Sequence, residues 1–119
     1  MNESEITTKK ILPELSKYAG SYWWKNHGDA FSVRGLPDVM GVVHGRLFAF
    51  EIKVGKNWVT PSQAGVLVKL ADAEAIAGVL LYEGGSMLFA GAYQVASKKR
   101  SQVTWTPITE ATLFALEVS

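Results

Sequence analysis

"GLPDVMGVVHGRLFAFEIK", residues 35–53, sets Asp38, Glu51 and Lys53 into a predominantly apolar run. His44-Gly45 suits a two-residue turn, which predicts a hairpin of strands at residues 38–43 and 46–54. In that register Val43 faces Arg46, Val42 faces Leu47 and, carried outward, Asp38 faces Glu51. Side chains alternate along a strand, so Leu47, Ala49, Glu51 and Lys53 share one face, while Phe48, Phe50, Ile52 and Val54 fill the other. Asp38 joins the face of Glu51 and Lys53. Two carboxylates opposed across a ladder repel, and a hard divalent cation held between them would offset that repulsion. Lys53 would then lie beside the cation, placed to orient or deprotonate a water or to stabilise developing negative charge. The ordinary alternative makes Glu51 and Lys53 a surface ion pair and Asp38 a turn residue after Pro37. The cross-strand register, the apolar opposite face and the Gly-Leu-Pro lead-in together favour a site.

Around this hairpin the chain reads as mixed α/β. Ser4 caps a predicted helix over residues 5–18, with Leu12, Leu15 and Ala19 on one stripe and Pro13 as a kink point. The stretch SYWWKN reads as a strand, with Trp23 and Trp24 splitting between core and solvent. Thr60-Pro61-Ser62-Gln63 combines a cap, a proline at the first helical position and a capping-box glutamine, predicting a helix to about Ala77. Gly78 ends it, VLLYE and SMLFAG form a hairpin around Gly84-Gly85, and QVTWTP reads as a short strand. Thr109 caps a final helix in which Ile108 staples onto Leu113.

The 119 residues, 48 % of them hydrophobic and 19 % charged, suit one compact domain spanning 1–119. No apolar run approaches the roughly 20 residues of a membrane span, and MNESEITTKK lacks the basic-then-apolar order of a signal peptide. These features predict a soluble, intracellular, cytoplasmic protein. The absence of cysteine removes disulfides, thiolate metal sites and cysteine nucleophiles, so oxygen ligands are expected for any metal. A formal net charge of +1 argues against a general nucleic-acid coat while allowing a local basic face. There is no glycine-rich phosphate loop with a following Lys-Ser/Thr and no serine-triad motif.

Gly35-Leu36-Pro37-Asp38, Gly45 to Lys53 and Thr60-Pro61-Ser62-Gln63 together resemble the core of the virus-type replication-repair nuclease family (VRR-Nuc) of the PD-(D/E)XK nuclease superfamily. The resemblance covers about residues 5–83; residues 84–119, a hairpin and C-terminal elements, add nothing to it. Any viral association comes from the family name alone. The resemblance implies a restriction-endonuclease-like core, a central mixed β-sheet flanked by α-helices, that hydrolyses DNA phosphodiesters with Mg2+, for which Mn2+ substitutes. It makes Asp38 and Glu51 metal ligands, adds the backbone carbonyl of Ile52 as another, and makes Lys53 the catalytic lysine. The family also uses a first-helix glutamate. Glu5, which extends the Leu12–Leu15–Ala19 stripe, is the expected one, with Glu14 taking its place if the helical frame slips. Gln63 shares a helix face with Leu67 and Leu70, and its amide is expected to serve both the capping box and the site.

For DNA contacts the expected residues are Lys25, His27, Arg34 and Lys56, with Trp58 nearby and Lys98, Lys99 and Arg100 in a later basic loop. The resemblance favours a Holliday-junction (four-way junction) resolvase acting on branched or duplex DNA as a homodimer. The alternatives are a monomeric nuclease cutting flaps or branched ends, and a catalytically silent α/β interaction module.

Overall fold

The computed structural model describes residues 1–27 and 35–118. The elements run α1 (Glu3–Ile6), a π-helical turn (Thr7–Ile11), α2 (Leu12–Leu15), β1 (Ser21–Lys25), β2 (Val39–Val43), β3 (Arg46–Val54) and α3 (Pro61–Asp72). They continue with β4 (Ile76–Glu83), β5 (Ser86–Gly91), α4 (Ala92–Ser97), a 3-10 turn (Arg100–Gln102), β6 (Thr106–Pro107) and α5 (Glu110–Glu117). All six strands join one sheet in chain order. The β3–β4 pair is parallel and the rest are antiparallel. The expected α/β architecture, a mixed sheet with flanking helices, is therefore the one found.

The hairpin register follows from its turn. His44 and Gly45 both take positive φ, 48° and 85°, as a tight turn matched to strand twist requires. Val43 pairs with Arg46 and Val39 with Phe50. β2 begins at Val39, so Asp38 sits just outside the strand rather than at its first position.

Alternation along β3 divides the core. Phe48, Phe50 and Ile52 pack with Ile6, Ile11, Leu15 and Leu113 on one side of the sheet. Ala49 joins Leu67, Val79, Ala90 and Val95 on the other, the side of α3 and α4. Trp23 lies in the first cluster, stacked at 5.7 Å on Phe50, while Trp24 is half-buried beside exposed Tyr22. Ile108 and Leu113 are both buried, as a staple at the start of α5 requires.

Three expectations are corrected. First, the N-terminal helix starts at Glu3, capped by Asn2 rather than Ser4, and carries a π turn in which Leu12 N–H donates to the Thr7 carbonyl. The wider turn precedes Pro13, whose ring removes an N–H, and shifts the buried stripe to Thr7, Ile11 and Leu15; Ala19 is exposed. Second, α3 stops at Asp72 and Gly78 lies inside β4. Glu74 takes φ 75°, Ala75 N–H donates to Leu70 and Glu74 N–H to Ala71, a Schellman motif with glutamate where glycine is usual. Arg46 Nε donates to the Glu74 carbonyl at 2.8 Å and anchors it. Third, residues 102–107 yield only the two-residue β6, preceded by the 3-10 turn.

A Cβ on Gly41 would stand 2.2 Å from the Trp23 ring. Gly41→Ala is therefore expected to lower stability by about 1–3 kcal/mol, read as a shifted denaturant midpoint. An unchanged midpoint would contradict the packing of Trp23 across β2.

Candidate active site

Val39–Phe50 is the last rung between β2 and β3, and β3 runs on to Val54 without a partner on that side. Ile52 and Val54, two apart in an extended strand, direct their N–H groups to the same side. Carboxylates accept both. Ile52 N–H donates to Asp38 Oδ2 at 2.9 Å, and Val54 N–H donates to Glu3 Oε2 at 3.2 Å. Asn57 Nδ2 donates to the same Glu3 oxygen at 2.8 Å. Asp38 is held in turn from behind, because Asn26 N–H donates to its carbonyl at 2.8 Å and the Asn26 amide donates to the Pro37 carbonyl at 2.7 Å.

Glu51 and Lys53 follow the alternation of β3 onto the α3 side and are both buried, 3 % and 7 % exposed. Burial, a side-chain hydrogen bond with Asp38 and the Asp38 charge push the Glu51 carboxyl up to about 9, with Glu3 adding to the rise and Lys53 opposing it. Glu51 thus keeps its proton beside the Asp38 carboxylate, and a divalent ion placed there would favour its release. The Ile52 carbonyl lies on the same strand side as its N–H and so points past the end of β2 as well. Among the described residues, no group of three or more His, Asp or Glu side chains is gathered closely enough to enclose an ion. Two carboxylates, a carbonyl, water and a substrate phosphate oxygen are nonetheless the donor set that magnesium commonly takes, and Asp38, Glu51 and Ile52 fit it.

The structure separates the acids of the N-terminal helix. Glu5 is exposed and 3.9 Å from Lys9, and Glu14 pairs with Lys17 at 3.0 Å; neither reaches the carboxylates. Glu3 does. It continues the buried stripe Thr7, Ile11, Leu15 at a spacing of four, the period a π turn sustains, and that repeat was the available signal in the sequence.

The remaining predicted residues divide. Lys25 and His27 line a cavity of about 470 Å3 together with Glu3, Ser4, Thr7, Asn26 and Asp38, and Lys25 Nζ donates to Ser4 Oγ at 2.5 Å. Gln63 closes the capping box, its Oε1 accepting from Thr60 N–H at 3.0 Å, which leaves its amide N–H groups for other partners. Lys56, Lys98 and Lys99 are exposed. Arg100 donates through Nη2 to the Gly55 carbonyl and is thus turned onto the loop after β3. Arg34 lies outside the described residues. No helix among the described residues is long and apolar enough to cross a membrane.

No family model matches the chain, and no curated protein matches it. Among solved structures it is similar to Hjc, a Holliday junction resolvase from the archaeal hyperthermophile Archaeoglobus fulgidus. The two share 22 % identity over 93 % of each chain, with a TM-score of 0.62. The likeness is one of fold, and it spans the C-terminal elements as well as the hairpin.

A solvated glutamate loses its proton near 4.5, whereas folded Glu51 keeps it up to about 9. Its contribution to stability is therefore complete below pH 4.5 and lost as pH rises toward 9. Without divalent cations the melting temperature is expected to fall across that window by on the order of 5 °C or more, and Glu51→Gln to remove most of the fall. A wild-type profile that matches the variant's would contradict a buried, protonated Glu51.

Proposed function

We propose that the chain is a divalent-cation-dependent endodeoxyribonuclease of the PD-(D/E)XK superfamily and, on its motifs, of the VRR-Nuc type. The four-way DNA junction is its preferred substrate. The observation that carries this reading is the grouping of Asp38, Glu51 and Lys53 where β3 outruns β2, with Asp38 bonded to Ile52 N–H. The fold shared with a Holliday junction resolvase supports the choice of substrate.

In this reading Asp38, Glu51 and the Ile52 carbonyl hold Mg2+ or Mn2+, and Glu3 takes the part expected of Glu5. When bound, the cation supplies Lewis-acid stabilisation of charge on the phosphate oxygens. Lys53, buried beside Glu51, orients the attacking water or takes up its proton, and its ammonium form stabilises negative charge building on the phosphate. Lys25 and His27, on the cavity shared with Asp38 and Glu3, receive the DNA backbone, with Lys56 and Lys98–Lys99 offering further phosphate contacts. The Gln63 amide N–H groups supply a donor on the α3 side. No covalent enzyme intermediate is needed.

A four-way junction resolved by paired cuts calls for two sites related by a two-fold axis, hence a homodimer. Tyr22 and Val42, cross-strand partners exposed at 73 % and 36 %, offer an uncharged surface for the second copy.

With a labelled panel of four-way junction, flap, single strand and linear duplex, wild-type protein is expected to nick the junction symmetrically in Mg2+ or Mn2+. Lys53→Ala is expected to lose at least about a hundredfold in rate while keeping the wild-type circular dichroism spectrum. Asp38→Ala should raise the metal concentration required. Wild-type cleavage by Lys53→Ala would remove the assigned role, and preferential flap cutting by a sedimenting monomer would replace the resolvase with a branched-end nuclease. A chain that cuts nothing and melts identically with and without metal would be a binding module.

A further inference from the structure

Residues 84–119 add nothing to the nuclease motifs, yet they reach the candidate site through the turn that follows β3. Gly55 of that turn takes φ 63°, and Asn57 N–H closes it on the Val54 carbonyl at 3.4 Å. Two long-range contacts grip it. Arg100 Nη2 donates to the Gly55 carbonyl, and Trp105 meets Trp58 edge-on at 5.9 Å. The segment that carries Arg100 and Trp105 is itself fixed. Gln94 receives Thr104 N–H at 2.8 Å and donates to its carbonyl at 3.4 Å, Gln102 Oε1 accepts from Lys99 N–H at 3.2 Å, and Val103 is buried against the α3-side core. Arg100 Nε is sealed from solvent, so this guanidinium is set into the protein rather than spread toward solvent as a phosphate contact would be.

On the other side of the same turn, Asn57 Nδ2 and Val54 N–H both bond Glu3 Oε2, at 2.8 and 3.2 Å. Both bonds fall on one oxygen, which leaves Oε1 for a ligand in the cavity that Glu3 lines with Asp38. Glu3 is the first residue of the N-terminal helix, where helix ends fray, so its carboxylate takes its place from these bonds. The Glu3 carboxylate is thus bonded to the turn, and the turn to Arg100.

We propose that Arg100 and Asn57 are positioning residues for the cation site: Arg100 holds residues 54–57 through the Gly55 carbonyl, and Asn57 hands that order to the Glu3 carboxylate. The proposal rests on the reading of Asp38, Glu51 and the Ile52 carbonyl as the cation site, with Glu3 on the cavity beside Asp38, and it replaces the DNA contact expected of Arg100. Residues that orient a ligand through hydrogen bonds commonly change metal affinity by 10- to 100-fold when removed.

The test uses the full chain and two readouts: thermal stabilisation as Mn2+ or Mg2+ is titrated without DNA, and junction cleavage as a function of metal. Arg100→Ala and Asn57→Ala are each expected to raise the half-maximal metal concentration roughly tenfold or more in both. Cleavage should recover as metal is raised, and the KM for DNA should move less than the metal requirement. Arg100→Lys, which can still donate to the carbonyl, should recover part of the loss. In a Glu3→Gln background, Arg100→Ala should add nothing further. An unchanged metal midpoint with a raised KM for DNA would return Arg100 to phosphate binding and overturn the proposal, as would an undiminished effect of Arg100→Ala in the Glu3→Gln background. Wild-type protein that gains no stability from either ion would also overturn it. Shifted metal midpoints in a chain that cuts no DNA would instead sustain the positioning role and sink the nuclease reading.

Discussion

Everything at the candidate site follows from β2 being too short for β3. Past the Val39–Phe50 rung, the N–H groups of Ile52 and Val54 have no strand to receive them, and an unpaired backbone donor in a partly buried position costs on the order of 1–3 kcal/mol. Asp38 and Glu3 supply acceptors in place of a strand. Each carboxylate is thereby pinned to the main chain of β3, and bonding to N–H donors leaves further lone pairs on each group for other ligands. Both carboxylates also line a cavity with Lys25 and His27 on its wall.

The same strand carries an electrostatic load that folding alone does not explain. Glu51 and Lys53 are buried within the α3-side face, and taking both charges from water costs several kcal/mol per ion before their mutual attraction is counted. The Lys53 charge works against the rise in the Glu51 carboxyl, but burial and Asp38 outweigh it. A sheet built for stability alone would place apolar side chains at these two positions, as it does at Phe50 and Ile52. A carboxyl whose proton is held well above its ordinary range by burial and a neighbouring acid is the kind of group found at functional sites.

How much of this can be read from the chain depends on the range of each signal. The approach of Asp38 to Glu51 is legible because His44-Gly45 permits one tight turn and strand alternation has a period of two, although the ladder itself ends one rung short, at Val39–Phe50. The Thr60–Gln63 capping box is legible for the same reason. The frame of the N-terminal helix is not, because a π turn before Pro13 changes the period from that of an α-helix and moves Glu3, rather than Glu5, into line with Thr7, Ile11 and Leu15. The end of α3 is hidden by the chemistry of Ala73 and Glu74, which favour helix; the Schellman turn is held by Arg46, 28 residues earlier. Arg100 on Gly55 and Asn57 on Glu3 join residues 45 and 54 positions apart, beyond the reach of any local pattern.

On the proposed reading, a divalent cation bound beside Asp38 displaces the proton held by Glu51. Calorimetric titration of Mn2+ or Mg2+ into the protein at pH 7, in two buffers of different ionisation enthalpy, measures binding and proton release together. Binding is expected to release about one proton per ion, and Glu51→Gln to abolish that release. Binding without proton release, or no binding at all, would contradict it.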